Sequence, residues 1–400
     1  MRRVIRGTCL ALFLSVCVRW AGAQVIAVTS PAYRADVNGT TMIQVSASGF
    51  KGPLEARSWL PEGELGSDSV VAAVKLNSSG EGSFQFRADR YPHGPITVRI
   101  RGTRSSDGSA DTCYLQLYNT GGVHWNEGAP KDPPPGAEGM KLVYKDDFDG
   151  PLSISATGVG ARYGAHKPDH LDFSKIPFAD PTPDGPFFQR DTYLIIRADA
   201  ARNTTGLISS VNAKDATGFT VTAPYYMECR FIAPDAIGTW PAWWVLTDEF
   251  KDGKWGQTSD ELDIIEAYGG DGPKNPNSPD AYLITPHLWG DHHNGGGSRP
   301  VDMTKVGGRG GWAVTPHTYG LLVTKEAIVF FLDDRKVVEL PPFPLAVSDP
   351  TYFMVNLAAG GGGWPLDLSR YGGAVDMYVD YIRVFQGAAR KYADSNSEHP

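Results

Sequence analysis

From residue 25 to residue 386 the chain is a succession of short runs rich in β-branched and aromatic residues, punctuated by clusters of Gly, Pro, Asn and Asp. No stretch carries apolar residues at sustained helical spacing between caps. The 46 Gly and 30 Pro among 400 residues point to many turns rather than long helices. Short strands bury one face each by stacking two sheets. The expectation is an all-β chain made of β-sandwiches.

The runs fall into two groups. "VIAVTSP", "TMIQVSASGF", "SVVAAVKLN", "GSFQFRA", "PITVRIRG" and "TCYLQLYN" crowd into residues 24–127, which fits an immunoglobulin-like or fibronectin-like β-sandwich. It holds no chemical constellation, so it reads as a spacer, with glycan binding as the alternative. "GAPKDPPPGAEG" follows, and its three successive prolines between glycines make residues 128–140 a stiff linker outside any core. Residues 141–387 form a second β-rich region, long for one sandwich but acceptable as one domain. "HTYGLLVTKEAIVFFLDDRKVVEL" (317–340) reads as strand, turn, strand, turn, strand, and "MYVDYIRVF" (377–385) as a closing strand. Residues 388–400 are a polar tail.

Residues 1–23 read as a signal peptide. Arg2, Arg3 and Arg6 precede the apolar "CLALFLSVCV", and "AGA" (21–23) supplies a cleavage site. Ten apolar residues are too few to span a bilayer. A secreted protein, extracellular or periplasmic, is therefore expected. Cleavage removes four arginines and no acid, taking the formal net charge from -8 to -12. That balance speaks against nucleic acid and anionic membranes as partners. A monomer is expected. Cys113 and Cys229 remain after cleavage, as one bridge between regions or as two buried thiols, and no cysteine spacing resembles a zinc site.

"ELDIIEAYGG" (261–270) is where chemistry concentrates. In a regular strand Glu261 and Asp263 share a face, and Glu266 falls on the other. A β-bulge absorbs the extra residue between Asp263 and Glu266 and returns all three acids to one face. The outer two are then about 13 Å apart at Cα, and on a concave sheet their carboxyl groups lean to about 5 Å, the gap of a retaining glycosidase. Three carboxylates this close raise at least one pKa, as a general acid requires, while a nucleophile stays ionised. Asp263 stands between them, placed to orient the nucleophile. A calcium site is the rival reading, but a strand supplies six to eight oxygens poorly.

The neighbouring runs suit a sugar. In "GTWPAWWVL" (238–246) Trp240 and Trp244 share a face for stacking on pyranose rings, while Trp243 points to the core. "TPHLWG" (285–290) puts His287 and Trp289 on one face, and Asn356 opens "NLAAGGGGWP" with an amide able to hold hydroxyls. The loops "HHNGGG" (from residue 292) and "GGRGGW" (from residue 307) read as cleft rims.

"ELDIIE" resembles the Glu-x-Asp-x-x-Glu signature of glycoside hydrolase family 16, in its bulged, laminarinase-like form. "LVYKDDFDG" (142–150), "TGLISSVNA" (205–213), the run from residue 225 to 246 and "YVDYIRVFQ" (378–386) resemble the family's other strands in order and spacing. The resemblance implies a concanavalin-like β-jelly-roll with an open cleft and endo-hydrolysis of a β-linked polysaccharide with retention. It implies Glu261 as nucleophile, Asp263 as its assistant and Glu266 as acid/base, with Trp240, Trp244, His287, Trp289 and Asn356 lining the cleft. No cofactor is implied for catalysis. One structural calcium on the convex side is implied, with Asp380 as the matching acid. Laminarin-type β-1,3-glucan is the best single substrate. "ARYGAHKPDHLDF" (161–173) and "AYGGDGPKNPNSP" (267–279) are loops unlike those of plain laminarinases. They leave the substrate open to a bacterial exopolysaccharide or an agar-type galactan; a transglycosylase and a glycan-binding protein without catalysis are separate alternatives on the same fold.

Overall fold

The computed structural model describes residues 24–60, 69–124, 127–169, 171–212, 214, 217–247, 259–270, 280–290, 297–307, 310–360 and 365–387. The expected signal peptide, the polar tail and most of the expected rim loops lie outside the described residues.

Two large sheets dominate. The inner one runs, in spatial order, Ile154–Ser155, Tyr163–Gly164, Leu207–Ser209, Thr351–Ala359, Thr239–Thr247, Ser259–Glu266, Ala281–Trp289 and Arg299–Asp302. The outer one runs Phe187–Arg190, Tyr193–Asp199, Ala374–Gln386, Tyr225–Ile232, His317–Val323, Ile328–Leu332 and Arg335–Leu340, with Lys141–Asp146 also paired to Ala374–Gln386. Alternation sorts their side chains. Trp243, Leu262, Tyr282 and Val355 from the inner sheet meet Met227, Phe231, Tyr319 and Val379 from the outer sheet in one dry core. Trp244, Ala242 and Leu207 face the other way, onto the open side of the inner sheet. The result is an all-β jelly-roll sandwich, as expected.

Ahead of it, three strands (Ala27–Ser30, Thr40–Ser46, Glu81–Arg87) and five (Asp36–Val37, Phe50–Ser58, Ser69–Val74, Gly94–Arg104, Ala110–Asn119) form a smaller pair of sheets. This body packs against the outer sheet. Tyr118 is buried among Tyr193, Ile195, Ile232 and Tyr378 on the outer sheet. Arg370 grips Asp111 with two nitrogens, at 2.8 and 3.1 Å, and the rings of Tyr33 and Tyr371 lie 5.0 Å apart.

The Pro-rich segment also departs from its expected role. Gly136 and Ala137 are buried, and a Cβ on Gly136 would lie 2.4 Å from the Tyr226 ring. Arg383 donates to the carbonyl oxygens of Pro130 and Asp132, at 2.9 and 2.7 Å. The segment has few apolar side chains, so its composition reads as a linker. It docks through backbone oxygens, a glycine's missing side chain and the small apolar contacts of Ala137 and Met140. Cys113 and Cys229 are both free and buried, and burial pushes the Cys113 thiol up to about 12.

Candidate active site

Ser259–Glu266 lies between Thr239–Thr247 and Ala281–Trp289. Its register slips where the sequence demands it. Asp263 pairs with Trp244 but Ile265 pairs with Trp243; on the other side Asp263 pairs with Thr285 and Glu266 with Leu283. Ile264 and Ile265 both turn into the dry core. Glu266 thereby returns to the face that carries Glu261 and Asp263, and all three line one cleft with Trp240, Trp244, His287, Trp289 and Asn356. Every substrate-binding residue expected from the sequence is thus gathered there, and Trp243 lies in the core.

Each acid has its own company. Glu261 accepts a hydrogen bond from the Trp289 indole N–H at 3.0 Å. Nε2 of His287 is 3.4 Å from Asp263 and 3.9 Å from Glu261, and its ring stacks on Trp289 at 5.0 Å. Tyr268 donates its hydroxyl to Glu266 at 3.2 Å and stacks on Trp240 at 5.4 Å. The Trp244 indole donates to the Asn356 oxygen at 2.8 Å, and the Asn356 amide donates to the Trp240 carbonyl at 3.2 Å. Asn356 is fully buried and its hydrogen bonds hold both tryptophans, so it acts on their orientation.

Burial sets the proton affinities. The Glu261 carboxyl is pushed up to about 7 by desolvation and by Glu266, against the Trp289 hydrogen bond and the charge of Lys167. Desolvation, the neighbouring charges of Glu266 and Glu261, and a hydrogen bond with Glu266 hold Asp263 well above the usual carboxylate range. Burial lowers His287 below an ordinary imidazole, although Glu266 opposes this. The expected rise falls on Glu261 and Asp263, and burial contributes more to it than the neighbouring charges do.

Lys167, Phe173 and Ala242 line the cleft without having been singled out from the sequence, and Tyr268 stands beside it on Glu266 and Trp240. Lys167 and Phe173 belong to the atypical 161–173 loop. The Lys167 ammonium lies 3.3 Å from Asp169 and 5.9 Å from the Trp244 ring centroid. Nothing local in the sequence turns that lysine inward. Tyr268 was legible, because alternation from Glu266 places it on the same face.

Glu261, Asp263 and His287 each offer one ligand atom within 4.8 Å of the others, so the cleft can hold a cation as well as a sugar. Asp380 does not fit the calcium role. It is fully buried, its Oδ1 accepts from the Gly128 N–H at 2.7 Å, and its Oδ2 pairs with the Arg230 guanidinium. An arginine in direct contact repels a cation and occupies the oxygen that would bind it.

No family model matches the chain. Over 225 residues it is 32% identical to the endo-1,3-1,4-beta-glycanase EglC of Rhizobium meliloti (strain 1021), which is 54% of this chain and 43% of the relative. Over 161 residues it is 34% identical to the endo-1,3-1,4-beta-glycanase ExsH of the same organism, which is 40% of this chain and 30% of that one. The chain therefore spans less than half the length of either relative. Among solved structures, the catalytic domain of an endo-1,3-beta-glucanase (laminarinase) from Thermotoga petrophila RKU-1 covers 62% of this chain and 99% of its own. It does so at 19% identity and a TM-score of 0.49.

Proposed function

We propose that this chain is a family 16 glycoside hydrolase, a secreted endo-acting enzyme that cuts a β-1,3-linked glucan with retention. The observation that carries this is the bulge: it delivers three carboxylates to one aromatic-walled cleft on the open face of the inner sheet. The names of the two sequence relatives, both endo-1,3-1,4-beta-glycanases, support a polysaccharide with β-1,3 or β-1,4 linkages.

Trp240, Trp244 and Trp289 offer stacking faces to successive sugar rings. Glu261, as a carboxylate, attacks the anomeric carbon and forms an ester while the bond to the leaving oxygen breaks. Glu266 gives that oxygen its proton. It then takes a proton from the water that attacks the same carbon and frees Glu261. Asp263, expected as the assistant of Glu261, also hydrogen-bonds Glu266, and its raised proton affinity keeps a proton on that pair beside the leaving oxygen. Lys167 and the Trp289 indole favour the ionised form of Glu261 that attack requires. Burial raises the pKa of this carboxylate, and a more basic carboxylate is a stronger nucleophile once ionised. No step calls for a cofactor.

The test is release of new reducing ends from laminarin, mixed-linkage β-glucan, a β-1,4-glucan, agar and a bacterial exopolysaccharide. Cleavage inside laminarin and mixed-linkage glucan chains is expected. Activity confined to agar or the exopolysaccharide would overturn the substrate, and inactivity on all five would overturn the hydrolase reading.

A further inference from the structure

A second cluster of ligating side chains stands away from the cleft, where the N-terminal sandwich, the Pro-rich segment and the outer sheet meet. His93 immediately precedes the strand Gly94–Arg104 and is buried. His124 and Glu127 come from the segment leaving the sandwich. Nδ1 of His93 is 2.7 Å from one Glu127 oxygen, and Nδ1 of His124 is 2.9 Å from the other. The two imidazoles lie 4.1 Å apart, and one ligand atom from each of the three residues falls within 4.8 Å of the others. The backbone is shaped for this approach. The His93 N–H donates to the Val123 carbonyl at 2.9 Å, and a Cβ on Gly122 would lie 2.4 Å from the His93 nitrogen, so only glycine lets the segment pass.

His93 faces a carboxylate on both sides, with Glu127 at 2.7 Å from Nδ1 and Asp191 at 3.3 Å from Nε2. A neutral imidazole has one N–H and one lone pair. With the N–H given to Asp191, the lone pair faces a carboxylate oxygen, and either a second proton or a metal ion reconciles the two. Tyr118 donates to the same Asp191 oxygen at 2.5 Å and pins it in place. An outer carboxylate that orients an imidazole, with the other ring nitrogen turned toward a second ligating side chain, is the arrangement found around protein-bound metal ions.

We infer that His93, His124 and Glu127 bind a divalent cation of the zinc class. Two imidazole nitrogens and one carboxylate oxygen suit such an ion better than calcium or magnesium, and water fills a fourth position. Tetrahedral coordination sets ligand atoms about 3.4 Å apart, so the His–Glu contacts of 2.7 and 2.9 Å widen by about 0.5–0.7 Å and the wider separation closes as the ion enters. His124 is largely exposed and free to make that adjustment. The bound ion ties the sandwich to the segment that follows it and, through Asp191, to the outer sheet.

Zinc chloride titrated into the full chain near neutral pH, followed by calorimetry and thermal unfolding, should reveal a saturable site of this composition and a raised Tm. His124→Ala alters an exposed side chain and should fold; it and Glu127→Gln should weaken zinc binding at this site by about tenfold or more, and Asp191→Asn by about tenfold. The cleft trio Glu261, Asp263 and His287 is the rival zinc site, so Glu261→Gln is the control and should leave the affinity and the Tm rise unchanged. The inference is overturned if zinc fails to saturate the folded wild type, if His124→Ala and Glu127→Gln bind zinc like the wild type, or if Glu261→Gln removes the binding.

Discussion

The two large sheets both bury carboxylates, and they treat them in opposite ways. On the outer sheet Asp380 pairs with Arg230, Glu228 pairs with Arg383, and Asp376 takes two hydrogen bonds from Arg197, at 2.6 and 2.8 Å. On the inner sheet three carboxylates share a single strand, and their contacts are an indole, an imidazole, a phenol and each other. The charge of Lys167 acts on Glu261 there, and Lys167 also sits against Asp169. An arginine partner fixes a carboxylate and compensates its charge, although burial still raises the proton affinity of Asp380; on the inner sheet desolvation, with neighbouring carboxylates adding to it, raises that of Glu261 and Asp263 and readies the site for proton transfer or attack.

The largest expected effect would break this contrast outright if it failed. Glu261→Gln and Glu266→Gln should each lower kcat/KM on β-glucan by about a thousandfold or more, with an unfolding midpoint equal to or above that of the wild type. Asp380→Asn should do the reverse, keeping activity per folded molecule while losing stability. Steady-state kinetics beside urea unfolding reads both.

Next in size is the cost of orphaning a paired charge. Arg230→Met leaves the buried Asp380 without its guanidinium and should cost about 3–5 kcal/mol of unfolding free energy. The double variant Arg230→Met, Asp380→Leu should recover most of that loss. Equal loss in both variants would show that packing, rather than the ion pair, governs this face.

The pH dependence of stability sharpens the comparison. The folded pKa of Glu261 is raised from 4.5 to about 7. Between those values the folded carboxyl holds a proton that the unfolded one has released, so stability falls as pH rises through the window and levels off above it. The slope amounts to at most about 3 kcal/mol in total, with Asp263 acting in the same direction. Glu261→Gln should flatten the curve measurably. An unchanged curve would mean that Glu261 titrates as an ordinary surface acid.

The smallest effect concerns Lys167. Removing its charge takes away a force that favours ionised Glu261. Lys167→Met should therefore shift the acid limb of the kcat/KM profile to higher pH, with a loss of about tenfold or less below it. A shift to lower pH would contradict the assigned coupling.

The site was legible to the extent that its logic is local. The count of residues between Asp263 and Glu266 already demands a bulge, and alternation alone separates Trp240 and Trp244 from Trp243 and would have added Tyr268. The all-β class followed from turn residues and strand-length runs in the same way. Illegible features depend on residues far apart in the chain. Arg230 and Asp380 are 150 positions apart, so nothing near Asp380 discloses that its charge is already spoken for. Lys167 enters the cleft by the tertiary path of its loop. The Pro-rich segment docks through carbonyl oxygens, which every sequence possesses equally.

The account rests on Glu261 and Glu266 working as a pair on one glycosidic bond, as the bulged strand allows. The most direct measurement is proton NMR of a β-glucan digest in its first minutes, before the anomers equilibrate. New reducing ends that appear first in the β configuration are the predicted result. New ends that appear first in the α configuration would mean a single displacement by water, and would contradict the attack assigned to Glu261.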